Sequence, residues 1–470
     1  MKKKLISVLL VSAMTMGLIA GCGSSTDSTS TDTSSATTET ESTTAESTTA
    51  ESTEVESDAS IYEARTVTVY LNGIDEEKKM QDAMAEIQTM EKYQNITFNF
   101  VGRDADYDTK MPTEVAGGVE IDLVICANPI NLTSYAESGL LLPLDDIITA
   151  SGHDFSTEFG DYASAAVRND SIYMIPNNVT SWAITYNKDV FDAAGLDYPS
   201  TEIPMTWDEY AEVAKSITSG SGADKTYGAF YINWGTYTYG EAIMALGGGE
   251  YFYNDEGLSN IEDPAFATAL EGVYNMMHVD GSMQTHANLI STSTQVTDFM
   301  NGKYGMSIAG GWYLSWCMDQ ENYPRDWTVG IAPMPVDEGT ETKTWGVVNG
   351  LGVPVSAPDP ELSVEVAYDL VSLAAKYADT TASAIQTVDQ SNLFVDAAAA
   401  LADEGITVEL LTDIYANPDI YVTEKISGAN SVAYESVYME EVEKYLVQEQ
   451  DLETTITNIK ERGDAAILGN

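Results

Sequence analysis

Apolar positions recur at every second residue in some stretches of the chain and at every third or fourth in others, and the two periods alternate along it. Residues 66–71, Thr-Val-Thr-Val-Tyr-Leu, are β-rich and run into Asn72-Gly73, a turn signal. The charged stretch that follows sets Met80, Met84, Ile87 and Met90 at helical spacing. Residues 96–101 alternate as a second strand, and residues 121–126 form a short apolar third. Strand, helix and strand in this order predict an α/β sheet with helices on its faces. Further along, a strand ends at Tyr186 and a short helix stops at Gly195. Thr206-Trp207-Asp208-Glu209 then forms a capping box that opens an amphipathic helix. Residues 305–309 read as a buried strand.

The N-terminus has a different pattern. Three lysines precede an apolar run over residues 5–20, followed by Ile19-Ala20-Gly21-Cys22. This reads as a secretory signal with a small-residue cleavage site, too short for a membrane span. The cysteine after that site resembles the lipobox of bacterial lipoproteins, which implies acylation of Cys22 and a new N-terminus there. Residues 23–60 are nearly all Ser, Thr, Ala, Asp and Glu, with a repeated ESTTA, so they lack the apolar area that would offset the entropy of ordering. A disordered, extended tether is expected.

About 410 residues remain, enough for two domains with sizeable cores. The formal charge of -53 and a total of five arginines exclude nucleic acid as a partner, because phosphate binding needs a basic surface. With Cys22 acylated, Cys126 and Cys317 are left in apolar surroundings, read as buried free thiols. His153, His278 and His286 are dispersed and give a zinc centre no support. Asp104, Asp106 and Asp108 have the first spacings of a calcium loop, but Thr109 and Val115 stand where Gly and Glu are needed, leaving a solvated acidic turn. No cofactor is expected.

The block "YNKDVFDAAGLDYPS…TWDEYAEVAKSI" resembles the signature stretch of the family 1 extracellular solute-binding proteins of bacterial ABC importers, the maltose-binding-protein-like group. "IDLVICAN…YAESGLLLPLDDII", "FMNGKYGMSIAGGW", "VGIAPMPVDEGTETKTWGVVNGLGV" and a helix near residues 361–378 agree in order. The resemblance implies a two-lobed periplasmic-binding-protein-like α/β fold with a ligand cleft between the lobes. Residues 1–21 would be the signal peptide and 22–60 the lipidated cysteine and tether; 61–179 with 345–378 would form lobe one, and 180–344 with 379–470 lobe two. Crossings are expected near residues 178–183, 343–348 and 377–384. It also implies a binding protein and not an enzyme, lipid-anchored outside the cytoplasm and monomeric, which delivers a carbohydrate, an oligosaccharide, to permease subunits.

A sugar cleft needs flat apolar faces for pyranose rings and amides or carboxylates for hydroxyls. Trp312 is the leading candidate: it ends a strand, follows Gly310-Gly311, and matches the family's G-x-W tryptophan that faces the cleft. Trp316 reads as its packing support, and Trp207, at a helix start, as structural. Trp182 and Trp345 lie in the first two crossings, with packing an equal explanation for each. Trp234 and Tyr237 fall where the family places further ring contacts. Asn72, Asp75 and Asn128 follow strand ends, where loops reach a cleft but where caps and turns also form. Glu241 and Tyr434 are positional candidates. Two other readings stay open: the same fold binding a polyol, phosphate ester or peptide, disfavoured by the scarcity of basic residues, and a secreted glycosidase with a carboxylate pair.

Overall fold

The computed structural model describes residues 62–72, 78–104, 106–340, 343–416 and 421–470. Cys22 and Asp75 lie outside them.

The first lobe begins with strands Arg65–Leu71 and Ile96–Gly102, paired in parallel from Arg65↔Ile96 to Leu71↔Gly102. Val67, Val69 and Leu71 point inward, as the period of two requires. Strand Val124–Cys126 adds to the edge of Thr344–Gly352 in antiparallel register. Helix Lys78–Ile87 and helix Pro360–Lys376 cover the same core; the latter buries Leu362, Val366, Leu370 and Leu373. A helix buried over so much of its circumference needs apolar residues nearly all round, and its sequence supplies them.

The second lobe is built on strand Ile175–Asn187, which pairs antiparallel with Tyr304–Gly310, from Trp182↔Gly310 to Tyr186↔Met306, and with Val329–Ala332. Tyr227–Ala229 extends this sheet in parallel. Both faces are covered, so apolar residues run continuously along its strands. Ile184, Met306 and Ile308 face helices Trp207–Ile217, Thr236–Leu246 and Pro264–His278. Ala183, Ala309 and Ile331 face helices Tyr313–Met318 and Val408–Tyr415. The capping box forms: Thr206 Oγ1 accepts from Glu209 N at 3.1 Å, and Glu209 Oε2 accepts from Thr206 N at 2.8 Å.

The lobes share strands. Ile175–Asn187 keeps Val179 in the first core and Trp182 in the second. Thr344–Gly352, antiparallel to it, keeps Trp345 in the second and Val348 in the first. Around residues 377–384 the chain touches both lobes: Ser315 Oγ and Thr380 Oγ1 lie 3.2 Å apart, and Phe394 N donates to Asp379 O at 2.8 Å. Ala382 and Ser383 pair with Val179 and Asn178, Ala384 N donates to Asn177 O at 2.9 Å, and Ala384 and Ile385 sit in the first core. These ladder bonds hold residues 382–385 to the first lobe, and Phe394 lies in the second.

Cys126 and Cys317 are free, buried thiols, each pushed up to about 12 by burial. Among the described residues no group of His, Cys, Asp and Glu could hold a metal ion, and no helix is long and apolar enough to cross a membrane.

Candidate functional site

A cavity of about 670 Å³ lies where the shared strands run between the lobes. Lobe one contributes Asn72 at the end of its first strand, Asn128 after Val124–Cys126, and Asn177 and Asn178 from the crossing strand. Lobe two contributes Trp234, Trp312, Trp316, Glu424, Lys425 and Glu435. Asn128 lines the cavity and also caps helix Pro129–Glu137, its Oδ1 accepting from Ile130 N and Asn131 N, both at 3.0 Å.

The two glycines before Trp312 have a steric explanation. A Cβ on Gly310 would stand 2.3 Å from Trp312 Nε1 and 2.7 Å from Thr180 Cγ2, and one on Gly311 would stand 2.9 Å from Thr380 O. The indole therefore folds back over its own strand end, into space that any side chain would fill. Trp182 is the centre of the aromatic group. Its ring lies 6.2 Å from Trp312, 6.5 Å from Trp234 and 6.0 Å from Trp345, all edge-on, and it is 3% exposed. Trp316, expected only as support, packs on Trp312 at 4.9 Å and also lines the cavity.

Four other candidates are placed elsewhere. Trp345 shares its strand face with Val347 and Asn349, which do line the cavity, but it sits farther along the strand, beneath helix Thr236–Leu246. It is 1% exposed, stacked on Trp207 at 6.0 Å, and so close to Gly240 that a Cβ there would meet its ring at 2.1 Å. Tyr237 spends its hydroxyl on Ile308 O at 2.6 Å and faces a second cavity, as does Glu241 one turn on. Tyr434 is core: it is 0% exposed, edge-on to Phe252, and bonded to Ser259 Oγ.

The polar half of the site went largely unread in the sequence. Asn178 Oδ1 and Asn349 Oδ1 are buried and have no hydrogen-bond partner among the described residues, while Glu424 and Trp182 Nε1, buried beside them, face each other. Leaving such groups unpaired is costly, so a wall that concentrates them is built for a partner from outside. Burial pushes Glu424 up to about 7, against the pull of Lys425, whose Nζ lies 3.7 Å from Glu424 Oε1 and donates to Thr236 Oγ1 at 3.0 Å. Glu435 is raised by burial and accepts from Tyr239 OH at 3.2 Å. Arg103 is committed to Asp108 at 2.6 Å. Asn349 had a readable signal: an asparagine inside the otherwise apolar strand 344–352. Glu424 had none, because only the parallel pairing of Tyr421–Thr423 with Thr344–Gly346 brings it to the wall.

Two α/β lobes that share crossing strands around a ring-lined, amide-rich cavity define a two-lobed binding protein of the periplasmic-binding-protein fold. The chain belongs to the bacterial extracellular solute-binding protein family, whose model matches residues 74–381. It is 24% identical over 339 residues to a binding protein of Brucella abortus (strain 2308), covering 70% of this chain and 77% of that protein. It is also 24% identical over 350 residues to the sn-glycerol-3-phosphate-binding periplasmic protein of Agrobacterium fabrum, covering 70% of this chain and 76% of the relative. Among solved structures, an ABC substrate-binding protein from Listeria monocytogenes in complex with cycloalternan superposes with a TM-score of 0.67 at 20% identity, over 87% of this chain and 100% of the other. The family makes the chain an extracytoplasmic solute receptor of the ABC-transporter type, not an enzyme.

Proposed function

We propose that this chain captures a neutral carbohydrate, an oligosaccharide, between its lobes and delivers it to an ABC permease, acting as a monomer tethered to the membrane through acylated Cys22. The observation that carries the ligand class is the meeting of Trp182, Trp234, Trp312 and Trp316 with the unpaired oxygens of Asn178 and Asn349 and the carboxylate of Glu424 in one cavity. Indole faces suit the C–H side of pyranose rings, and unpaired acceptors suit hydroxyl donors. Asn72 and Asn128 add amides from the opposite wall. Ligand favours the closed arrangement by touching both lobes at once, which supplies the differential affinity closure requires.

A second reading, a glycerol phosphate ester, is favoured by the Agrobacterium relative and by the presence of Arg103 and Lys425 in the wall. Both cations are already engaged by carboxylates, and Glu424 and Glu435 add negative charge where a phosphate would sit. Thermal-shift titration of the chain from residue 60 onward decides between them. A neutral oligosaccharide at about 100 times its Kd stabilises by roughly 2.7 kcal/mol. A shift with glycerol 3-phosphate and none with neutral sugars overturns the carbohydrate reading.

A further inference from the structure

Lobe two contains a second cavity of about 230 Å³, enclosed by helices Trp207–Ile217, Thr236–Leu246 and Pro264–His278. Its walls are the rings of Trp207, Tyr210, Phe230 and Trp345, and its charged residues are Asp208, Glu241 and Glu271, with no lysine, arginine or histidine among the lining residues. It is separate from the interlobe cavity: Tyr237 and Trp345 line it, and Trp182, 6.2 and 6.0 Å from their rings, lies on the other side.

Glu241 has no hydrogen-bond or ion-pair partner among the described residues. The charges that act on it are Asp337 and Asp208, both repulsive. A half-buried carboxyl whose neighbouring charges are all negative leaves a place for a cation beside it. The rings around it provide what a soft cation needs, because their negative faces attract ammonium groups most strongly where water is excluded. Aromatic walls cannot replace the oxygen shell of a hard metal ion, so a divalent cation does not fit. A further observation concerns the indole N–H groups of Trp207 and Trp345, which are buried and have no acceptor among the described residues. An oxygen on the occupant would satisfy one of them. The volume, below the range of about 300 to 1,000 Å³ usual for drug-sized ligands, limits the occupant to a small molecule.

We infer that this chamber is a binding site for a small organic ammonium ion bearing an oxygen acceptor, held by Glu241 beneath an aromatic cage. The reading is independent of which solute occupies the interlobe cavity.

Calorimetric titration of the chain from residue 60 onward with choline, and with its uncharged isostere 3,3-dimethylbutan-1-ol, tests it. Choline should bind saturably and at least tenfold more tightly than the isostere. Glu241→Gln should lower choline affinity at least tenfold, with its fold checked by thermal melting. Glu271→Gln, on the exposed rim, should lower affinity about threefold and serves if the first variant melts early. Trp312→Ala should leave choline binding intact. Equal affinity for the two molecules would mean an apolar hole without charge recognition and overturn the assignment. No choline binding, unaltered binding in both glutamine variants, or loss confined to Trp312→Ala would overturn it as well.

Discussion

Trp182 and Trp312 meet edge to face, their ring centroids 6.2 Å apart and their planes at 88°, one on a strand that serves both lobes and the other just past the strand paired with it. Trp182 is sealed beneath, and Trp312 is left partly open as the surface a ligand meets. Trp312→Ala should therefore weaken oligosaccharide binding by roughly 2 to 4 kcal/mol, the loss typical of a central aromatic anchor, and leave the fold intact. Unchanged affinity in calorimetry would remove Trp312 from the site.

Gly310→Ala tests the positioning of that ring. The added methyl would stand 2.3 Å from Trp312 Nε1 and 2.7 Å from Thr180 Cγ2, so the indole must swing away. Overpacking of this kind costs about 1 to 3 kcal/mol of stability. Affinity should fall with it, by at least tenfold. A variant that melts early yet binds sugar as tightly as the parent would show that Trp312 needs no fixed pose.

Trp345→Ala should behave in the opposite way to Trp312→Ala. Its ring fills the space over Gly240 and against Trp207, and truncating a buried tryptophan costs about 3 to 5 kcal/mol. Urea unfolding should register that loss. An unfolding midpoint like that of the parent would contradict the packing described here.

Several of these placements could be read from the sequence and others could not. The capping box at Thr206 and Glu209 is local, three residues apart, so its chemistry is visible in the string. Trp312 was legible for the same reason, since the two glycines that make room for it are its neighbours. For Trp345 the sequence left packing and ligand contact equal, because being in a crossing strand and lining the cleft are different properties: how far along the strand a residue sits, and which helix covers it, depend on contacts from residue 240. Glu424 and Asn349 are brought together by strand pairing across about 75 positions of sequence, which no local pattern encodes. Ser383 is placed in a similar way, by a bond to Asn177 O some two hundred residues earlier.

Stability should depend on pH in a specific window. Burial holds Glu424 and Glu241 at about 7 in the folded chain, against an ordinary value of 4.5. Between those two values the native state keeps protons that the unfolded chain releases, so rising pH favours unfolding. Urea midpoints should fall from pH 4.5 to 7 and level off above. Glu424→Gln should flatten that slope. Glu440 and Glu441, lowered to about 2, act in the opposite sense but only below about 4.5. Hydrogen bonds from Arg462 and Lys444 lower Glu440; for Glu441, burial acts upward but is outweighed by bonds from Lys444, Asn458, Gln450 and Arg462. A parent midpoint that is constant between pH 5 and 7 would refute the buried-acid account.

Cys22→Ala should move the protein from the membrane fraction to the medium or periplasmic fraction, as read by fractionation and immunoblotting. Retention in the membrane would refute the lipobox reading.

The strand Ile175–Asn187 carries one further consequence. Because its backbone bonds reach both sheets, and Thr344–Gly352 lies antiparallel beside it doing the same, no single cut in the chain separates one lobe from the other. A fragment ending after residue 179 would lack helix Pro360–Lys376 and the strand against which Val124–Cys126 forms its ladder. Attempts to express either half by simple truncation should therefore give aggregated material; recovering an isolated lobe would require rejoining distant segments in a new order.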